Sequence, residues 1–219
     1  MKILFIGNSY TYFYDLPQMF EKLAHANGKD VCVTSLTVGG RELHQNLNPQ
    51  DEKHAELLVY LQDGRPDALF LQEQSVLPAI NQSLFLTGVR GLCDLISPAR
   101  TIMYATWGRK EGSETLKIHG WTTQDMAMRL YESYDVAAKA VGGSLSPVGL
   151  CFLAMGEAYP HIDLYDPDLS HPSLCGSVLA TLCHYYTLFG ELPEVCDSLG
   201  VDAPIIDAFK AVIAQVCEK

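Results

Sequence analysis

The chain has 219 residues, 48% of them hydrophobic and 19% charged, a balance that supports a substantial core and is read as one domain spanning 1–219. With 26 acidic against 15 basic residues, its net charge of -11 leaves no basic stripe for nucleic acid and disfavours anionic membrane surfaces. No stretch reaches the length of a membrane span, and the apolar run after Lys2 is too short for a signal-peptide core, so a cytoplasmic protein is expected.

The run Ile3-Leu4-Phe5-Ile6 reads as a strand covered on both faces, followed by turn chemistry at Gly7 and Asn8 that lifts Ser9 out of the strand end. Leu16 to Asn27 has helical spacing and is closed by Gly28. Val31 to Val38 is a second strand ending at Gly39-Gly40. Arg41 to Leu47 and Asp51 to Gln62 read as helices separated by Asn48-Pro49. Asp67 to Gln72 is a third strand, Leu84 to Ile96 a helix halted before Pro98, and Thr101 to Thr106 a fourth strand running into Trp107-Gly108. A long helix over Thr122 to Val141, capped by Thr122 or Thr123, ends at Gly142-Gly143. A short fifth strand lies near Leu145 to Val148, and Ser173 to Phe189 and Ala203 to Cys217 are the last helices.

Strands alternating with helices imply right-handed crossovers and a parallel sheet covered on both faces. The pattern fits an α/β fold, a flavodoxin-like three-layer α/β/α sandwich of five parallel strands in the order 2-1-3-4-5. Ser9 then sits over the carboxyl end of an inner strand, where such sheets hold ligands.

A nucleophilic serine needs a base, and the base needs an orienting carboxylate. Two Asp-x-x-His pairs are present, Asp51/His54 and Asp168/His171. The first falls on a predicted helix among charged neighbours and reads as a solvated face. The second falls in a loop rich in Pro, Asp and Ser just before a helix, the better setting for catalytic groups. The seven cysteines, Cys32, Cys93, Cys151, Cys175, Cys183, Cys196 and Cys217, contain no C-x-x-C pair, and Cys151 and Cys175 lack a local base. No carboxylate–histidine cluster has metal-ligand spacing, so neither a metal nor a cofactor is expected. His44, His119 and His161 are single histidines that either line a cleft or serve as ordinary loop and core residues.

From Ile3 to about Leu192 the chain resembles the SGNH (GDSL-like) hydrolases, in a DUF4886-like branch whose first block reads Gly-Asn-Ser-Tyr-Thr (residues 7–11) and whose third reads Gln-Glu-Gln-Ser (72–75). The resemblance implies the same sandwich, with Ser9 as nucleophile and Asp168 and His171 of the Asp-x-x-His-Pro-Ser block completing a triad. It also implies an oxyanion hole built from the Ser9 amide and a glycine amide, Gly40 or alternatively Gly39. Most of the family carries Gly-x-Asn-Asp in the third block, and its asparagine is missing here. Gln72 or Gln74 is the replacement donor; on strand alternation both share one phase, and Gln74 is favoured.

The expected function is hydrolysis of a carboxylic ester carrying a short acyl or acetyl group, on a small-molecule substrate such as an acylated carbohydrate. Trp107, at the same sheet edge, is either a substrate-binding wall or a packing residue. The rival readings are a flavodoxin-like binding protein holding a phosphate at the Gly7–Thr11 turn and a degenerate hydrolase that binds acylated ligands without turnover.

Overall fold

The apolar run at the amino terminus forms β1 (Lys2–Gly7), which pairs in parallel with β2 (Cys32–Thr37) on one side and β3 (Ala68–Leu71) on the other. In this computed structural model, which describes residues 1–97 and 99–217, β4 (Arg100–Tyr104) and β5 (Ser144–Ser146) complete a five-stranded parallel sheet ordered 2-1-3-4-5. The fold is therefore the α/β/α sandwich that the strand–helix alternation predicts. Pro98, named above as a helix stop, lies outside the described residues.

In chain order the helices are α1 (Ser9–Tyr12), α2 (Leu16–Ala26), α3 (Glu52–Gln62), α4 (Leu77–Ile80), α5 (Gln82–Ile96), α6 (Glu114–His119), α7 (Thr123–Ala140), α8 (Val148–Ala158), α9 (Leu174–Phe189) and α10 (Ala203–Cys217). Successive strand residues point to opposite faces, so one run of sequence feeds two cores. Ile3 and Phe5 join Phe70, Ile102 and Tyr104 beneath α2, α8, α9 and α10. Leu4 and Ile6 join Leu69, Leu71 and Met103 beneath α3, α5 and α7. The Phe5 and Phe70 rings stack with centroids 4.4 Å apart, and burying each phenyl contributes about 1.5–3 kcal/mol. Among the described residues no helix is long and apolar enough to cross a membrane.

Two local expectations are corrected, and one helix is added. The segment read as a helix from Arg41 is a 3-10 turn confined to Leu43–Leu47. The fifth strand ends at Ser146, before Pro147, rather than reaching Val148. Val148–Ala158 is a helix that periodicity does not reveal. It buries Val148, Gly149, Cys151, Phe152 and Met155 and carries few polar residues, so no amphipathic stripe marks it.

Candidate active site

The last residue of β1, Gly7, is a glycine because nothing larger fits there. A Cβ at this position would lie 2.4 Å from Thr11 Oγ1 and 2.6 Å from Gln72 Oε1. Asn8 then caps the one-turn helix α1: its Oδ1 accepts from the Tyr10 amide at 3.2 Å, and its carbonyl accepts from the Thr11 amide at 2.9 Å. Its Nδ2 donates to Arg41 O at 3.0 Å, tying the serine turn to the loop after β2 that carries Gly40. Ser9 is left at the first position of α1, 9% exposed, at the carboxyl edge of the sheet.

His171 Nε2 lies 2.8 Å from Ser9 Oγ, and the opposite ring nitrogen, Nδ1, pairs with Asp168 Oδ2. The other oxygen, Asp168 Oδ1, accepts from the backbone amides of Ser170 at 3.0 Å and His171 at 2.9 Å. Partial desolvation alone would raise this carboxyl. The hydrogen bonds from the His171 ring and from the two amides outweigh it and hold the carboxyl below its ordinary value. Asp168 is thus an oriented carboxylate whose negative charge faces the imidazole.

Aromatic packing and backbone bonds fix the loop. The His171 ring stacks on Phe13 with centroids 4.2 Å apart and meets the edge of Tyr10 at 5.5 Å. Tyr10 stacks in turn on Trp107 at 4.6 Å, and Trp107 on Phe152 at 4.2 Å. Trp107 Nε1 donates to Ser170 O at 3.0 Å, and the Tyr10 hydroxyl pairs with Ser170 Oγ at 2.7 Å. Trp107 is only 1% exposed and does not line the cleft; it supports the histidine loop from behind, which is the packing alternative rather than the substrate wall. Leu169, between the two polar residues, adopts the left-handed φ of 63° that a leucine rarely takes, a local cost of about 1–2 kcal/mol that the surrounding bonds sustain.

The third block separates its two glutamines. β3 ends at Leu71, so strand alternation does not extend to Gln74. Gln72, 1% exposed, turns inward: its Oε1 accepts from Asn8 N and Thr11 Oγ1, both at 2.8 Å, and its Nε2 donates to Glu73 O. It braces the serine turn and is absent from the cleft wall. Gln74 lines the cleft, with Oε1 accepting from Val76 N at 2.8 Å and Leu77 N at 3.0 Å. Its Nε2 has no hydrogen-bond partner among the described residues. Between them, buried Glu73 accepts from Leu43 N at 2.9 Å and Gln74 N at 2.7 Å, linking the loop after β2 to the loop after β3. Desolvation pushes its carboxyl up to about 7, against the lowering effect of those two amides.

Ser9, Tyr10, Gly40, Gln74, Arg109 and His171 line a cleft of about 180 Å³, small against the range of ligand pockets. Gly39 is not on its wall. The competing pair is spent elsewhere: Asp51 caps α3 through Lys53 N at 2.8 Å and pairs with Arg41 at 2.7 Å, and His54 Nδ1 bonds to Asn46 O. His44, His119 and His161 do not line the cleft, and Cys151 is buried beside Cys183 with Sγ atoms 4.0 Å apart. Sequence reasoning missed Arg109, Tyr10, Phe13 and Glu73. Tyr10 and Glu73 stand inside the first and third blocks and Arg109 stands two residues beyond Trp107 at the ligand-binding edge, whereas Phe13 had no such signal.

No family model matches the chain, and no curated protein matches it. Among solved structures it is similar to a putative SGNH hydrolase from Slackia heliotrinireducens, 30% identical, with a TM-score of 0.75 over 86% of this chain and 98% of the other. It is also similar to a DUF4886 family protein from Bacteroides uniformis ATCC 8492, with a TM-score of 0.83 at 20% identity over 100% of this chain and 95% of that one. A lipase/acylhydrolase from Enterococcus faecalis superposes with a TM-score of 0.62 at 16% identity over 89% and 98% of the two chains. The last two likenesses bear on the fold. The sheet order, the sandwich and a relative at 30% identity over most of both chains agree, and the chain belongs to the SGNH hydrolase family.

Proposed function

We propose that this protein hydrolyses carboxylic esters with a short acyl group through Ser9, His171 and Asp168. The observation that carries the reading is the continuous relay from Asp168 to His171 Nδ1 and from Nε2 to Ser9 Oγ, the last contact being 2.8 Å. Ser9 Oγ attacks the ester carbonyl while His171 Nε2 takes its proton. The tetrahedral oxyanion is held by the amides of Ser9 and Gly40 and by the side-chain amide of Gln74. His171 then protonates the leaving alcohol and the acyl-enzyme forms. Water, activated by the same nitrogen, releases the carboxylic acid and restores Ser9. Asp168 keeps the imidazole in the tautomer with Nδ1 protonated and stabilises the imidazolium.

Gln74 supplies the donor that an asparagine gives in most of the family, its carbonyl end being taken by two backbone amides. A cleft of about 180 Å³ favours acetyl and similarly short acyl groups. Hydrolysis of p-nitrophenyl acetate by wild type and by Ser9→Ala tests the assignment. Turnover in the wild type and its loss in the variant are expected; equal rates would remove Ser9 from the chemistry.

A further inference from the structure

Arg109 lines the cleft but has no part in the acyl-transfer steps above. Its backbone is pinned, because Gly108 sits against α7 so closely that a Cβ there would lie 2.1 Å from Thr123 O. Thr123 Oγ1 donates to Arg109 O at 2.7 Å, and Arg109 N approaches Met126 Sδ at 3.5 Å. The side chain then reaches the cleft wall, where one terminal nitrogen donates to Ser75 Oγ at 3.1 Å. Its Nε is buried with no acceptor, and no ion pair among the described residues includes it. Among the described residues no acidic side chain lines the cleft, although acidic residues outnumber basic ones in the chain by 26 to 15.

A guanidinium on a cleft wall with no carboxylate paired to it is an uncompensated charge, and an oxyanion that accepts from its terminal nitrogens balances that charge in planar, directional bonds. A substrate bound in the cleft can bring such a group. We propose that Arg109 selects esters carrying a carboxylate or phosphate close to the scissile acyl group. This inference deepens the hydrolase reading and rests on it. Carboxylate and phosphate share the acceptor chemistry, and the substrates below separate them.

The test compares kcat/KM for 3-acetoxybenzoate, 3-acetoxyphenyl phosphate and the neutral 3-acetoxybenzamide in wild type, Arg109→Gln, Arg109→Lys and Ser9→Ala. Wild type is expected to favour at least one anionic acetate over the amide by tenfold or more. Arg109→Gln should bring that ratio near one, mainly through KM, and Arg109→Lys should restore part of it. A ratio near one in the wild type, or one that survives Arg109→Gln, overturns the proposal. If no acetate turns over above the Ser9→Ala blank, the hydrolase reading itself fails. The anion site is then decided by thermal shift on Ser9→Ala with 3-acetoxybenzoate and the amide: a larger shift with the anion that Arg109→Gln abolishes supports it, and equal shifts refute it.

Discussion

Replacing Gln74 by glutamate removes a donor while keeping an acceptor, and the two ends of this side chain have separate tasks. Gln74 Oε1 accepts from Val76 N at 2.8 Å and Leu77 N at 3.0 Å at the start of α4, a role a carboxylate fills equally well at a helix N-terminus. The Nε2 end is the proposed oxyanion donor, and a glutamate has nothing to offer there. Loss of one such donor costs about 2.7–4 kcal/mol of transition-state stabilisation, or about 10²–10³ in kcat, and the added negative charge pushes the loss toward the upper end. Stability should stay within about 0.5 kcal/mol of wild type, because the capping bonds survive. Gln74→Ala should lose the same catalysis and also about 0.5–2 kcal/mol of stability, because it removes the cap as well. Steady-state hydrolysis of p-nitrophenyl acetate gives kcat and KM, and urea unfolding gives the stability. A Gln74→Glu protein whose kcat stays within about threefold of wild type would refute the donor assignment.

Glu73 gives a pH signature. Its carboxyl titrates near 7 when folded against an ordinary 4.5, so its charging penalises the folded state increasingly as pH rises from about 4.5 to about 7, by about 3 kcal/mol in all. Buried His184, pushed down to about 3 by desolvation, tilts the wild-type curve the opposite way between 3 and its ordinary 6.5, so the useful quantity is a difference between proteins. The stability of Glu73→Gln minus that of wild type should grow by about 3 kcal/mol across pH 4.5–7, and a pH-independent difference would exclude the buried-acid reading. Gly7→Ala drives a methyl between Thr11 Oγ1 and Gln72 Oε1, which are hydrogen-bonded at 2.8 Å, and should cost about 2–5 kcal/mol from overpacking and a broken buried bond. A urea-derived loss below about 0.5 kcal/mol would show that the turn has room the geometry denies it.

The inner strands β1 and β3 were legible because they are short and apolar on both faces. Ile3 to Ile6 and Ala68 to Leu71 have no polar alternation to confuse them with an exposed strand. The same uniform apolarity hid α8, where period and face vanish together. At the cleft, Ser9, which opens α1 straight after the Gly7-Asn8 turn, meets Asp168 and His171 of one Pro-, Asp- and Ser-rich loop, and both segments carry a local chemical signature that sequence can show. The stack of Phe13, His171, Tyr10, Trp107 and Phe152 was not legible, since it joins five residues from four separate stretches of chain and no local spacing encodes it. Trp107 was placed at the correct end of the sheet, but sequence carries no information on whether an indole faces the cleft or lies behind its wall.

The third block shows why residue type alone left two glutamines open. Alternation holds only while the ladder lasts, and the ladder between β3 and its neighbours ends at Leu71. Beyond it, direction follows from what each side chain bonds. Gln72 is drawn inward by two donors of the serine turn, Glu73 by the amides of Leu43 and Gln74, and Gln74 by the start of α4. Three consecutive polar residues therefore take three tasks. One braces the serine turn, one joins the two loops that flank it, and one lines the cleft. A family member with asparagine in this block has a shorter side chain for that last task. The extra methylene of Gln74 lets its carbonyl anchor to the start of α4 while the residue still lines the cleft, so in the proposed mechanism the departure from Gly-x-Asn-Asp puts the donor on a longer arm with a separate foothold.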